Sequence, residues 1–215
     1  MFRNRIEAAD RLAQRLSAYE GRHPLVLAIP RGAVPMAKRI ADALGGEVDV
    51  VLVRKLGAPG NPEFAIGAVD ETGWTYIADY AASVGATPEY IEREKARQMA
   101  IMRERRALYT PVRPPIDPRG RIVIVVDDGL ATGATMISAL HALRAKQPQK
   151  LICAVPVAPP ETVEKVRPWC DEMVCLETPY DFYAVGQFYL EFPQVSDEEV
   201  MAILRQGHAP GETQA

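Results

Sequence analysis

The stretch Arg121-Ile-Val-Ile-Val-Val-Asp-Asp-Gly-Leu-Ala-Thr-Gly-Ala-Thr135 constrains this chain more than any other. Its β-branched run suits a strand buried on both faces of a parallel sheet. Two adjacent carboxylates, Asp127 and Asp128, close the run. A short loop of Gly, Ala and Thr follows, and then a helical pattern. The loop therefore joins the carboxyl end of a strand to the N-terminus of a helix. Unpaired backbone N–H groups and the positive end of the helix dipole make such a junction an anion site. Gly129 and Gly133 allow close backbone approach, and Thr132 and Thr135 add hydroxyl donors.

The acid pair narrows the ligand. A bare phosphate would be repelled by it, so the carboxylates must serve another part of the same molecule. Ionised Asp only accepts hydrogen bonds, and the two neighbouring hydroxyls of a ribose are matching donors. Consecutive strand side chains point to opposite faces, so both acids reach one sugar only if the strand ends at Asp127. The ligand implied is a ribose 5-phosphate unit. A Walker-type nucleotide loop is excluded, because no Gly-Lys-Ser/Thr ending is present.

The segment of thirteen residues from Val123 to Thr135 resembles the 5-phosphoribosyl-1-pyrophosphate (PRPP) signature of type I phosphoribosyltransferases. The order of elements around it agrees with that resemblance. Residues from about Arg3 to Tyr19 have helical spacing. Leu25–Ile29 reads as a strand, Val34–Leu44 as a helix and Val48–Val53 as a strand ending at Arg54-Lys55. Leu56–Glu63 is rich in turn formers and reads as a mobile loop. Phe64–Val69 and Trp74–Ile77 read as a hairpin around Asp70–Gly73. Thr87-Pro88 opens a helix that runs to about Tyr109, and a stiff Pro-rich connector covers Pro111–Pro118. Beyond the central strand come helix Thr135–Lys146, strand Leu151–Val157, helix Pro160–Val166 and strand Glu172–Leu176. Ser196–Glu199 matches a capping box for a last helix to about Arg205.

The expected fold class is α/β, a doubly wound and mainly parallel sheet with a ligand at its carboxyl ends. Residues 1–205 are read as one domain, with an aromatic hood over about 178–195 and a mobile β-hairpin loop; 206–215 is read as a flexible tail.

Two further stretches resemble parts of the same family. Ile29-Pro-Arg31-Gly32-Ala33 stands where the family has its pyrophosphate loop, often of unusual peptide geometry, and Arg offers a fork matched to phosphate. Val51-Leu-Val-Arg54-Lys55-Leu-Gly-Ala-Pro-Gly is similar to a stretch of adenine phosphoribosyltransferases in which the Arg contacts pyrophosphate. Ala131 is also of the adenine type; hypoxanthine-guanine enzymes carry an Asp there as the proton-handling base. The adenine family uses instead a Glu on its mobile hairpin, and the nearest residues in sequence are Asp70 and Glu71, one register off. Tyr183-Ala-Val185-Gly resembles the hypoxanthine-guanine hood, where an aromatic ring stacks on the base. The two subfamily signals disagree, so the base stays open.

The resemblance thus implies transfer of a phosphoribosyl group from PRPP to a nitrogenous base, with a place in nucleotide or nucleoside metabolism. The 5-phosphate falls to Gly129, Leu130, Ala131, Thr132, Gly133, Ala134 and Thr135. Asp127 and Asp128 take the ribose. Arg31, Gly32, Arg54 and Lys55 take the pyrophosphate, and Tyr183 and Val185 the base. Mg²⁺ arrives with PRPP, and no direct protein ligand is assigned to it. A PRPP-binding regulator without transfer and a phosphoribosyl hydrolase are the alternatives. A homodimer is left open.

Composition excludes other classes. Net charge is −3 with 25% charged residues, which favours neither nucleic acid nor a membrane surface. No apolar run approaches the roughly 20 residues of a membrane span. The segment Met-Phe-Arg-Asn-Arg is not a secretory signal, and Cys153, Cys170 and Cys175 form no CxxC pair. The expectation is a cytoplasmic protein with reduced thiols.

Overall fold

The computed structural model describes residues 1–206; of the tail expected over 206–215, Gln206 belongs to the last helix and the rest lies outside the described residues. Its centre is a five-stranded sheet of β1 (Leu25–Ala28), β2 (Glu47–Val50), β6 (Ile122–Val126), β7 (Lys150–Val157) and β8 (Glu172–Glu177). The spatial order is β2-β1-β6-β7-β8 and every pairing is parallel. The order reverses between β1 and β6, where Ala28 lies beside Val126. The loops after both strands therefore leave the sheet side by side, the place where open α/β sheets bind ligands.

Burial explains why these strands are apolar runs. Ile122, Ile124 and Val126 pack into one core with helices α1 (Arg5–Arg15) and α2 (Val34–Leu44). Val123 and Val125 pack into a second core with α4 (Ala134–Arg144) and α5 (Pro160–Val166). With both faces covered, alternation disappears and β-branched residues fill every position. The three cysteines are free.

A second, antiparallel sheet holds β3 (Val53–Ala58), β4 (Asn61–Asp70) and β5 (Thr75–Ile77) in that order. It docks on α4 partly through Trp74, whose ring stacks on His141 at 3.6 Å between centroids. Two expectations are corrected here. The strand expected over Val48–Val53 ends at Val50, and a new strand in the other sheet starts at Val53. Leu56–Glu63 is not a structureless loop: Leu56–Ala58 pairs back on β4 around a Pro59-Gly60 turn. The small residues are there for contact. A Cβ on Gly57 would stand 2.6 Å from the Pro62 carbonyl oxygen.

Helix α3 (Pro88–Tyr109) starts as expected, with Thr87 accepting from the Tyr90 amide at 3.1 Å. The Pro-rich connector is pinned: buried Arg113 donates to the Val48 carbonyl at 2.8 Å, and the Ile116 amide to Asp49 at 2.8 Å. The first helix is shorter than expected, with Asn4 as its cap and a separate turn at Ser17–Tyr19. The capping box holds, since the Glu199 amide donates to Ser196 Oγ at 3.1 Å ahead of α6 (Asp197–Gln206).

Candidate functional site

Both loops at the switch point and one face of the antiparallel hairpin enclose a continuous cleft. One part, about 670 Å³, is lined by Arg31, Gly32, Arg54, Lys55, Asp127 and Asp128. The other, about 550 Å³, is lined by the whole loop Gly129–Thr135 with Phe64, Phe182, Tyr183 and Val185. Lys55, Glu63 and Thr135 border both parts.

The acid pair follows β6 directly. The strand ends at Val126, one residue earlier than the chemistry required, and the chain turns so that both carboxyls face the cleft. The Asp128 amide donates to Asp127 Oδ1 at 2.9 Å. Burial, and then the neighbouring Asp128 charge, hold the Asp127 carboxyl well above the usual range. Burial also raises Asp128, but Arg5 opposes it, its Nε lying 3.1 Å from Asp128 Oδ2. Burial thus favours the protonated form of Asp127 more than that of Asp128, whose charge Arg5 partners.

Gly32 explains the closeness of the two loops. A Cβ there would lie 2.7 Å from Asp128 Oδ2 and 2.8 Å from an Arg5 guanidinium nitrogen, so any larger residue would displace the Arg5–Asp128 pair. The peptide between Pro30 and Arg31 is cis. Arg31 reaches the cleft, with Asp197 of α6 at 3.9 Å. Arg54 and Lys55 lie inside β3 rather than at a strand end. Arg54 Nε donates to Gln98 at 2.9 Å, and Lys55 Nζ donates to the Glu63 carbonyl at 3.1 Å. Burial and the cations Arg105, Arg31 and Arg97 lower the Arg54 guanidinium from its ordinary value, while Glu94 opposes them.

On the other side, Gly133 precedes α4, so the first-turn amides of that helix open on the cleft. Thr162 donates to the Ala131 carbonyl at 2.6 Å and the Leu130 amide to Val157 at 2.9 Å, which fixes the loop. Val185 rests directly on it: a Cβ on Gly129 would be 2.7 Å from Val185 Cγ1. The Tyr183 ring is 89% exposed over this part. The cleft can hold an anion at each end, hydroxyl donors at the acid pair between them, and a ring beside Tyr183 and Val185.

Asp70 and Glu71 are not brought there. Asp70 is 2% exposed and caps its own turn, accepting from Thr72 Oγ1 at 2.6 Å and the Trp74 amide at 3.1 Å. Glu71 is paired with Arg106 Nε at 3.1 Å. Both border a separate cavity of about 430 Å³.

The phosphoribosyl transferase domain profile matches residues 2–193. This chain belongs to the phosphoribosyl transferase family. Two curated relatives, each named "Putative phosphoribosyl transferase", come from two strains of Mycobacterium tuberculosis. Each is 40% identical over 212 residues, covering 97% of this chain and 47% of the relative. The chain thus spans about half the length of the curated relatives it matches. The crystal structure of TT1426 from Thermus thermophilus superposes with a TM-score of 0.80 at 48% identity, covering 97% of this chain and 99% of that one.

Three residues in or beside the cleft had no sequence signal strong enough to single them out. Arg5 lies on a helix whose spacing speaks only of packing; it holds Asp128, donates to the Pro193 carbonyl and covers the Phe192 ring at 3.9 Å. Glu63 falls in what reads as a loop, yet it borders both parts of the cleft. Gln98 sits mid-helix and is 6% exposed. A buried Gln against a helical stripe is the one trace that could have marked it.

Proposed function

We propose that this protein transfers the 5-phosphoribosyl group of PRPP to a nitrogenous base and releases pyrophosphate. One observation carries the reading: the acid pair lies in one cleft between a cation-lined end and a helix N-terminal loop, the order of charges along PRPP itself. The loop Gly129–Thr135 takes the 5-phosphate through amides and the Thr132 and Thr135 hydroxyls. Asp127 and Asp128 accept from the two ribose hydroxyls. Arg31, the Gly32 backbone, Arg54 and Lys55 hold the pyrophosphate.

Among the described residues no cluster of three or more His, Cys, Asp or Glu could cage a metal. The reading takes Mg²⁺ as arriving with PRPP and held mainly by the substrate's own oxygens, as the ion with phosphates commonly is. Mg²⁺ bound with PRPP would supply charge neutralisation at the leaving pyrophosphate. The cleft residues position the sugar, and the bond from C1 to pyrophosphate oxygen breaks with its electron pair leaving on the pyrophosphate. The acid pair stabilises the positive charge that develops on the sugar. A ring nitrogen of the base, stacked under Tyr183 beside Val185, then bonds to C1. Glu63 is placed between the two halves to take the proton that this nitrogen loses. The hairpin carrying Lys55 and Glu63 keeps water off C1.

Incubation with PRPP, Mg²⁺ and a panel of nitrogenous bases, read as pyrophosphate release, tests the reading. Release that depends on one base, with the matching ribonucleotide formed, is expected. PRPP bound without release for any base would favour a regulator, and release without a base a hydrolase.

A further inference from the structure

Helix α3 buries Glu94, Gln98, Met102 and Tyr109 along one face. Packing alone calls for apolar residues at such positions, because burying an amide and a carboxylate is costly unless both are bonded. These two are bonded in series. Arg97 Nη2 donates to Glu94 Oε1 at 3.0 Å, Gln98 Nε2 donates to the same oxygen at 2.9 Å, and Arg54 Nε donates to Gln98 Oε1 at 2.9 Å. The chain of bonds ends on the Arg54 guanidinium at the cation-lined end of the cleft, which Glu94, Arg97 and Gln98 also border.

We propose that Gln98 and Glu94 are positioning residues that aim Arg54 at the pyrophosphate of PRPP, an assignment that rests on the function proposed above. Three features of the geometry argue for it. The amide of Gln98 has one possible orientation, since a flip would set its NH₂ against the guanidinium and its oxygen against the Glu94 carboxylate. A neutral oxygen therefore meets Arg54. A carboxylate in that place would neutralise the guanidinium and repel the anionic ligand, whereas the amide holds it and leaves its charge available. Arg54 also stands among like charges: after burial, Arg105, Arg31 and Arg97 lower its guanidinium from its ordinary value. Among the described residues Nε is the one atom of Arg54 with a side-chain partner. The fork of Nη1 and Nη2 is left for the ligand. Glu94, one residue further back, supplies the counter-charge that makes this crowding tolerable.

The test is a calorimetric double-mutant cycle on the full chain with Gln98→Met, Arg54→Ala and the double variant, using pyrophosphate and ribose 5-phosphate as separate probes. Gln98→Met keeps the volume and removes the acceptor. It is expected to weaken pyrophosphate binding about tenfold, the scale of one hydrogen bond to a charged group. Ribose 5-phosphate affinity stays at the wild-type value, and Gln98→Met adds nothing once Arg54 is Ala. Should Gln98→Met fail to fold, the isosteric Glu94→Gln gives the same pattern at about threefold, the scale of a weakened neighbouring bond. Equal losses for both probes, or full additivity with Arg54→Ala, would overturn the positioning role. A wild-type protein that binds pyrophosphate no better than the Gln98 variant overturns this proposal alone. A wild-type protein that binds neither pyrophosphate nor PRPP overturns the function beneath it as well.

Discussion

The two sides of the cleft are built in opposite ways. Strand β6, which delivers the acid pair, is buried at every position, whereas β4 is exposed over Asn61–Phe64 and buried only from Ala65 onward. On the β6 side the loop is fixed from several directions, by Thr162, Val157, Val185, Arg5 and the Tyr189 hydroxyl, which donates to the Asp128 carbonyl at 2.6 Å. On the hairpin side the Glu63 side chain is 93% exposed and touches Lys55 only at 3.5 Å. One side is continuous with the core, so its geometry and the stability of the fold are one quantity. The other carries groups that the proposed reaction uses and that do little to hold the protein together. A site that must first recognise a donor and then seal itself against water needs both.

That contrast can be broken by mutation. Glu63→Gln should lower kcat about 100-fold or more, the usual scale for a lost proton-transfer group, and leave the melting temperature within about a degree. A large fall in melting temperature would place Glu63 in the framework instead. Ile124→Ala, within β6, should show the reverse. It is expected to cost roughly 2–5 kcal/mol of stability, with kinetics near wild type in the molecules that remain folded. Tyr183→Ala should raise the KM for the base by about 5- to 100-fold, the range of a lost stacking contact, and leave the PRPP KM unchanged. An effect on PRPP alone would move Tyr183 to the other part of the cleft.

The smallest effect expected is a pH slope. Asp127 holds its proton above the ordinary carboxylate value of about 3.9, because of burial and then Asp128. A raised folded value favours the protonated form, so the stability Asp127 contributes is present below that ordinary value and lost as pH rises through the raised one. Ligand binding runs the other way: the ionised form is the stronger acceptor for a ribose hydroxyl, so PRPP affinity should climb with pH, by at most about tenfold per unit for one proton. Asp127→Asn should flatten that slope. A slope that persists in the variant belongs to the ligand's own phosphates.

Much of the rigid side was legible in the sequence, because it is local. The β-branched run, the two acids and the helix that starts beyond Gly133 lie within fifteen consecutive residues, and strand burial on both faces leaves an unmistakable composition. The hairpin side was legible only in part. Pro59-Gly60 and the small residues around it read as loop, since pairing between Leu56–Ala58 and β4 is a tertiary fact with no periodic trace. Asp70 and Glu71 stand near the proposed chemistry by counting along the chain, yet contacts to Thr72, Trp74 and Arg106 hold them at another cavity. Arg5 lies 123 positions from Asp128, and no local pattern ties them. Gln98 meets Arg54 across 44 positions by the same kind of contact.

The central claim is that the acid pair recognises the ribose of PRPP from a rigid frame. Titration of PRPP with Mg²⁺ into the wild type and into Asp127→Asn/Asp128→Asn tests it most directly. The account predicts saturable binding heat in the wild type and a loss of about 100-fold or more in affinity in the variant, the scale of two charge-assisted hydrogen bonds, in a protein that still folds although it gives up the Arg5–Asp128 ion pair at 3.1 Å. Wild-type affinity in a folded double variant would contradict it.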